Sequence, residues 1–176
     1  QLMPLTPAEV EQEIHLKNPR LWSIDTPYMY RVESILKDKQ TGEVLDRYYT
    51  PTGIRTFRFD AQKGFILNGE QVKINGVCMH HDLGCLGAAV NTRAIERQLE
   101  ILKEMGCNGI RCSHNPPAPE LLDLCDRMGF IVMDETFDMW RKKKTRHDYS
   151  RYFNEWHERD LTDLIMRDRN HPSIFM

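Results

Sequence analysis

The sequence predicts an α/β fold in which part of a β-sandwich, residues 1–60, precedes part of a (β/α)8 barrel, residues 61–176. Three observations support this prediction. Near the N-terminus, apolar and polar residues alternate with a period of two, which is typical of half-buried strands. Beyond residue 74, short apolar runs alternate with segments of helical periodicity, the order that builds a parallel sheet. Polar side chains follow these short runs, where β/α barrels carry their active sites.

The composition indicates a globular protein whose partners are neutral or weakly charged. The 176 residues are 40% hydrophobic and 28% charged, with a formal net charge of −2 and a pI near 6.4. This balance supplies no basic surface for nucleic acid or for an anionic membrane. The apolar runs are far shorter than the roughly 20 residues that span a bilayer. We therefore expect neither a nucleic-acid partner nor a membrane partner.

The cysteines predict free thiols and neither a disulfide framework nor a zinc site, because their number is odd and no two have CxxC spacing. We expect most of the five to be buried: Cys78, Cys85, Cys107, Cys112 and Cys125. The first residues lack the charged and apolar stretches of a signal peptide. The compartment stays open between cytoplasm and periplasm, and so does the oligomeric state, a homo-oligomer included.

The N-terminal part contains a predicted antiparallel strand pair. In residues 28–36, apolar side chains that include Val32 and Leu36 share one face, which we expect to be buried. Turn-forming residues at 38–42 then lead to a return strand at 44–49. Residues 1 to about 57 therefore resemble the end of a β-sandwich domain.

A tight hairpin is predicted where the two parts of the chain join. Asn68 and Gly69 stand between two apolar runs within residues 64–73. Both residue types tolerate a positive φ, which a type I′ turn requires at its two central positions. The hairpin therefore opens the 61–176 segment.

Three strand–helix units and the opening of a fourth strand follow. The predicted strands are 74–79, 109–112, 131–134 and 173–176, and the predicted helices are 92–105, 119–128 and 151–167. Gly106 and Gly129 are natural helix stops, and Pro119 suits a first helical turn. We expect these helical residues to face inward: Ile95, Leu99, Leu102, Met105, Leu121, Leu124, Cys125, Met128, Phe153, Trp156, Leu161, Leu164 and Ile165.

Each of the first three parallel strands ends in side chains that can bind a ligand or transfer a proton. In β/α barrels the active site lies where the strands run into the following loops. The alternative is that some of these residues act only as caps or rim hydrogen bonds. We predict substrate binding by His80, His81, Asp82, His114, Asn115, Asp134 and Glu135.

Arg111 and Trp140 complete the predicted substrate-binding set. Arg111 lies within a strand, where a guanidinium is costly unless a carboxylate meets it, so a plain ion pair in the barrel is the alternative role. Trp140 follows the third strand, and its indole can stack on a sugar or pack in the rim. His114 precedes two prolines that rigidify the exit of its strand, which suits ligand binding.

Seven motifs, in their expected order, resemble those of glycoside hydrolase family 2, in particular its β-galactosidase-like members: NPRLWSIDTPYMYR, GIRTFRF, GFILNGEQVKINGV, HHDLG, RCSHNPP, CDRMGFIVMDE and RDRNHPSI. The resemblance implies that an immunoglobulin-like β-sandwich precedes a TIM (β/α)8 barrel. It also implies exo-acting hydrolysis of terminal β-galactosides with retention, by double displacement through two glutamates. β-Glucuronides and other β-glycosides are hydrolysed on the same scaffold.

The resemblance also implies roles for individual residues. His80 and His114 resemble the two histidines that line the family's sugar pocket, and Arg111 resembles the strand arginine that pairs with the nucleophile. Both catalytic glutamates are expected after Met176, so none is expected in this chain. The remainder of the polypeptide is then needed to close the barrel and to complete the site around a carbohydrate substrate.

Three hypotheses about function follow. The first is a segment of a β-galactosidase-like retaining hydrolase that is inactive alone. The second is a noncatalytic sugar-binding module. The third is a metal-dependent barrel hydrolase, although the usual HxH pair is absent; its ligands would be His80, His81, Asp82, His114 and Asp134. By resemblance, Met139 and Arg141 stand where some galactosidases bind magnesium, so we predict no cofactor.

Overall fold

The computed structural model describes residues 7–176, so the first six residues of the predicted 1–60 segment lie outside the described part. The strands are β1 Tyr30–Lys37, β2 Val44–Thr52, β3 Phe57–Asp60, β4 Gly64–Leu67, β5 Glu70–Gln71, β6 Gly76–Met79, β7 Gly109–Cys112 and β8 Ile131–Met133. The helices are α1 Thr92–Glu104, α2 Pro119–Met128 and α3 Ser150–Asp168, and a short 3-10 helix spans Gly84–Leu86. Within residues 7–176, no helix combines the length and the apolar character that crossing a membrane requires.

β1 and β2 form the predicted antiparallel pair, with Tyr30 opposite Thr52 at one end. The prediction of a buried face was wrong: Val32 is 36% exposed and Leu36 is 45% exposed. Among residues 7–176, the two strands form a sheet of their own and contact no other sheet extensively. Alternation therefore specifies which residues share a face, and a second layer is needed to bury that face.

The predicted hairpin joins β4 to β5 within a three-stranded antiparallel sheet. Asn68 has a φ of 52° and Gly69 a φ of 89°, as expected for a turn that needs positive φ at both central positions. The Asn68 side chain also accepts from the Thr56 amide at 3.0 Å and donates to the Trp22 carbonyl at 2.9 Å. The turn residue thus ties the hairpin to the preceding segment.

β6, β7 and β8 form a parallel sheet in sequence order, and α1 and α2 connect them. A parallel bridge between Val132 and Ile174 marks the beginning of the fourth strand. One face of the sheet packs against the two helices, and the core there contains Ile95, Leu99, Ile110, Cys112, Leu121, Leu122, Leu124, Cys125, Phe130 and Val132. The strand–helix order that the sequence predicts is confirmed.

The helix boundaries follow their local signals. Asn91 caps α1 by accepting from the Ala94 amide at 2.9 Å. Pro119 opens α2, and Gly129 ends it in the left-handed conformation, with a φ of 73°. Met105, expected to face inward, is 71% exposed because it lies at the end of α1, beyond the last turn that packs on the sheet.

The apolar side predicted for α3 is only partly buried. Phe153 and Leu164 are buried, whereas Trp156, Leu161 and Ile165 are 38%, 41% and 54% exposed. Within residues 7–176, α3 makes no extensive contact with another helix or strand, so only one edge of its apolar side is covered. The prediction for the other three residues is corrected accordingly.

The cysteines are free, as predicted, but most are not buried. Cys112 and Cys125 are buried, Cys107 is intermediate, and Cys78 and Cys85 are exposed. Cys112 points toward the helix-facing core, whereas Cys78 lies on the opposite, open face of the sheet. For Cys78 and Cys112, strand alternation decides the exposure, which a count of cysteines does not reveal.

The segment before β1 covers the N-terminal end of the parallel sheet. Trp22 is fully buried, packs with Ile131 at the start of β8 and donates to the Asp126 carbonyl at 2.7 Å. Asp126 is buried too, and its carboxylate contacts His171 Nδ1 at 2.6 Å and accepts from the Ser173 amide at 3.1 Å. These contacts close the sheet edge that lies opposite the polar strand ends.

Candidate active site

The candidate site lies on the open face of the parallel sheet, opposite α1 and α2. Cys78 and Arg111 are register partners, and Arg111 is paired in turn with Met133. Because successive side chains of a strand point to opposite faces, Glu135, two residues beyond Met133, shares this face. Ile110 and its neighbours point to the other side, into the helix-packed core. The register therefore places Arg111 beside Glu135.

Arg111, Glu135 and His114 form one connected cluster. Arg111 donates to Glu135 through both Nε and Nη2, with Nη2 3.2 Å from Oε2. His114 Nδ1 lies 2.9 Å from Arg111 Nη2 and 3.3 Å from Glu135 Oε2. Hydrogen bonding to Glu135 raises the pKa of Arg111, so its charge is permanent. A carboxylate partner for Arg111, as the plain ion-pair alternative expects, is thus present within this chain, 24 residues away.

His80 and Cys78 extend the cluster along β6. The rings of His80 and His114 meet edge to face, with centroids 5.6 Å apart and planes 81° apart. The Cys78 sulfur is 3.6 Å from Arg111 Nη1. Cys78 was not among the predicted site residues, because its register with Arg111 follows from strand pairing and not from the local sequence pattern. The structure therefore brings the ends of three neighbouring strands to one place.

His81 and Asp82 shape the loop after β6. His81 Nε2 lies 2.9 Å from the Ala88 carbonyl oxygen, and the Asp82 carboxylate accepts from the Gly84 amide at 2.6 Å. Both residues line a small pocket of about 50 Å³, together with Asn115 and Ser113. They lie on the predicted edge but make no hydrogen bond with the Arg111 cluster. Their hydrogen bonds in the structure are therefore those expected of caps and rim contacts, the alternative role given to the strand-end residues.

Asp134 faces away from the cluster, because alternation turns its side chain toward α3. Its Oδ1 is buried and has no hydrogen-bond partner among the described residues. Burial, followed by the charge and hydrogen bonding of Asp168, raises the pKa of Asp134 to about 7, against the opposing effect of Arg167. Asp168 in turn accepts from Arg167 at 2.6 and 2.7 Å. The structure thus separates Asp134 from Glu135, its chain neighbour.

Trp140 lies in the loop that follows β8, above the start of α3. Its indole stacks on Phe153 with centroids 5.8 Å apart and planes 18° apart, yet the residue is 66% exposed. Phe153 is buried and also contacts Phe137 and Tyr149. One indole face therefore packs in the rim, as one of the two alternatives expects, and the rest of the side chain is exposed.

The five residues of the metal-hydrolase hypothesis do not converge. Among residues 7–176, the one group of three potential metal ligands with atoms within 4.8 Å of one another is Asp123, Asp126 and His171. That group lies toward the N-terminal end of the sheet, and Asp126 is already hydrogen-bonded to His171 and Ser173. The geometry of the strand ends therefore gives the metal-dependent hypothesis no support.

Family comparisons agree with this arrangement of strands and site. Residues 60–176 match the model described as "Glycosyl hydrolases family 2, TIM barrel domain". Residues 2–55 match a second model of the same family. The chain belongs to glycoside hydrolase family 2. Its fold is accordingly part of an immunoglobulin-like sandwich followed by part of a TIM barrel, as the sequence predicts.

Relatives within family 2 match nearly the whole chain. The beta-galactosidase BoGH2A of Bacteroides ovatus is 77% identical over 94% of this chain and 19% of its own length. A beta-glucuronidase of Bacteroides fragilis is 34% identical over 95% of the chain and 24% of its own. A crystal structure of a beta-glycosidase from Bacteroides vulgatus superposes with a TM-score of 0.87 and 46% identity, covering 90% of this chain and 20% of the other. The chain thus spans about a fifth of these family 2 proteins.

Proposed function

We propose that the chain is a segment of a retaining, exo-acting glycoside hydrolase that cleaves terminal β-galactosides. The observation that carries this proposal is the Arg111–Glu135–His114 cluster at the C-terminal strand ends of a family 2 barrel. The sugar assignment is supported by 77% identity to a beta-galactosidase. Both catalytic glutamates, nucleophile and acid/base, would lie in polypeptide that follows Met176. Double displacement needs these two carboxyl groups about 5 to 5.5 Å apart across the glycosidic bond.

Within this proposal, the chain contributes one wall of the sugar pocket. His80 and His114 meet at the open face and would hydrogen-bond sugar hydroxyls. Arg111 would donate to the imidazole of His114, and Asn115 and Trp140 would line the rim. His81 and Asp82 would shape the adjoining loop. The boundary between the sandwich segment, 1–60, and the barrel segment, 61–176, is part of the same proposal.

A β-glucuronidase is the alternative with the most support, because several relatives carry that name. A glucuronide has a carboxylate, which an uncompensated cation would have to bind. In the described part of the site, the guanidinium of Arg111 is already paired with Glu135. The Arg111 guanidinium therefore gives no specific support to an acidic sugar, and the galactoside assignment rests on the identity to a beta-galactosidase.

The test uses the longer protein that contains this chain. We expect kcat/KM to be highest on an aryl β-galactoside within a panel that includes the matched β-glucuronide. Proton NMR of the first product should show the β-anomer, because double displacement retains configuration. A preference for the glucuronide would overturn the galactoside assignment, and an α-product would overturn retention.

The same preparation separates the other two hypotheses. Chelation of divalent cations should leave the rate unchanged if the reaction depends on two carboxyl groups alone. Loss of activity on chelation, restored by a divalent cation, would favour the metal-dependent alternative. Binding of galactose without turnover of any glycoside would favour a noncatalytic module.

A further inference from the structure

The Arg111 guanidinium meets three side chains through its three nitrogens. Its Nε and Nη2 donate to the two carboxylate oxygens of Glu135. Nη2 also lies 2.9 Å from His114 Nδ1, and Nη1 meets only the Cys78 sulfur, at 3.6 Å, among the described residues. A guanidinium carries five N–H donors in a fixed planar geometry. A partner that fixes the orientation of the group therefore also fixes the direction of its remaining N–H donors. Glu135 is the partner that binds two of these nitrogens.

These contacts decide which ring nitrogen of His114 carries the proton. Nη2 of Arg111 has two hydrogens and no lone pair, so His114 Nδ1 must accept at 2.9 Å. Glu135 Oε2 would favour the opposite tautomer, but it is 3.3 Å from Nδ1 and already accepts from Arg111. The hydrogen-bond network therefore assigns the proton to Nε2.

We propose that Glu135 is a positioning residue, which acts on the substrate through Arg111 and His114. It holds the Nε and Nη2 side of the guanidinium, Arg111 donates to His114 Nδ1, and His114 presents Nε2–H as a hydrogen-bond donor to one sugar hydroxyl. This inference rests on the proposed function, since it assigns roles within the same site.

Exposure supports this division of roles. The Glu135 side chain is 21% exposed and both of its oxygens are bonded to Arg111. The His114 side chain is 36% exposed, and its ring meets that of His80 at the open face. A sugar entering this face would therefore meet the imidazole before the carboxylate. Glu135 is expected to affect kcat/KM without touching the sugar.

A double-mutant cycle in the longer protein tests this order of action. The variants are Glu135→Gln, His114→Ala and the two together, assayed on an aryl β-galactoside. If Glu135 acts through His114, each single variant should lower kcat/KM about tenfold, and the double variant should lose less than about twofold more. Multiplied losses, about a hundredfold in the double variant, would overturn the proposal.

Arg111→Lys tests the geometry of the fork separately from its charge. Lysine keeps the positive charge but cannot hold Glu135 and His114 in one plane, so kcat/KM should fall about as far as in Glu135→Gln. Wild-type kcat/KM in Arg111→Lys would overturn the proposal, and this variant remains informative if Glu135→Gln does not fold. Glu104→Gln, at the exposed end of α1, is the matched control and should leave the kinetics unchanged.

Monodeoxy galactosides, each lacking one hydroxyl, provide a readout that a merely structural role would not move. Structural damage lowers the rate on every substrate alike. On the substrate that lacks the hydroxyl bound by His114, both His114→Ala and Glu135→Gln should cost less than about twofold. A Glu135→Gln loss that persists there overturns the proposal. Absence of β-galactoside turnover by the wild type would instead remove the proposed function, so the two failures are distinguishable.

Discussion

Asp134 and Glu135 are consecutive carboxyl residues that the strand sends into opposite environments. Glu135 meets a permanent cation on the open face, whereas Asp134 is turned toward Asp168, with one oxygen buried and unpartnered among the described residues. An opposite charge favours an ionised carboxyl, and burial beside a like charge favours the protonated one. A single step along the backbone thus separates a residue of the site from a titrating residue of the helix layer.

His114 is expected to contribute directly to catalysis in the longer protein. Replacing it with alanine should lower kcat/KM by about tenfold or more, corresponding to about 1.4 kcal/mol of transition-state binding. Steady-state kinetics on an aryl β-galactoside measures this, with His15→Ala as the control, because the His15 side chain is 86% exposed. Unchanged kinetics in a folded His114→Ala variant would exclude the role.

The raised pKa of Asp134 predicts that the free energy of unfolding depends on pH. Its pKa is raised from 3.8 to about 7 in the folded protein. A raised pKa means that its contribution is fully present below the unfolded pKa and is lost as the pH rises through the folded one. Between these values, the free energy of unfolding should therefore fall with increasing pH.

Asp134→Asn tests this dependence, because the amide cannot ionise. The longer protein with this substitution should be more stable than wild type at about pH 8, with the difference diminishing toward about pH 5. Urea unfolding at both values measures it. Asp163→Asn is the control, since that side chain is 71% exposed. Equal pH profiles for wild type and Asp134→Asn would contradict the assignment.

At the scale of elements, two helices end at glycines that meet different surroundings. Gly106 follows α1 with a φ of 84°, and nothing lies within 4 Å of where its Cβ would be. Gly129 ends α2 with a φ of 73°, but a Cβ there would overlap the carbonyl group of Ile24. The second glycine therefore serves both a turn and the close packing of the N-terminal segment on the barrel.

Substituting each glycine with alanine separates the two effects. Gly106→Ala should cost about 1 to 2 kcal/mol of unfolding free energy, from left-handed backbone strain alone. Gly129→Ala carries the same strain and also displaces the Ile24 backbone, so it should cost at least about 1 kcal/mol more. Chemical unfolding of the two variants in the longer protein compares them directly. Equal losses would mean that the segment around Ile24 yields without cost.

At the scale of the whole molecule, the chain presents surfaces that need partners. Among residues 7–176, the parallel sheet has three strands and one further bridge, so its edges keep unpaired backbone groups. The pair β1–β2 exposes Val32, Ile35 and Leu36, and α3 exposes Leu161 and Ile165. Surfaces of this kind favour association with other polypeptide.

Residues 1–176 expressed alone should accordingly aggregate or exchange strands, and should show no turnover. Closure of a barrel takes eight strand–helix units, and double displacement takes two opposed carboxyl groups. Size-exclusion chromatography with light scattering, together with an aryl β-galactoside assay, measures both properties against the longer protein. A soluble monomer with measurable turnover would contradict both expectations.

Much of the element order could be predicted from the sequence, because the signals are local. Helical spacing predicted α1 and α2, and Gly106, Pro119, Gly129 and the Asn68–Gly69 turn act through backbone preferences of one or two residues. Motifs at the strand ends predicted the edge that carries Arg111, His114 and Glu135. The inward faces of α3 and of the β1–β2 pair were mispredicted, because periodicity does not reveal how much surface is covered.

The sequence by itself determined the family through the resemblance of its motifs. It also determined the order of strands and helices and the edge that carries the polar side chains, since these follow from short-range pattern. Only the tertiary structure decided that Arg111 pairs with Glu135, 24 residues away, and that Asp134 does not join them. It also decided that Cys78 borders the site and that Trp22 covers the far end of the sheet. The physical reason is register: pairing between strands sets which side chains share a face, and residues distant along the chain set that pairing.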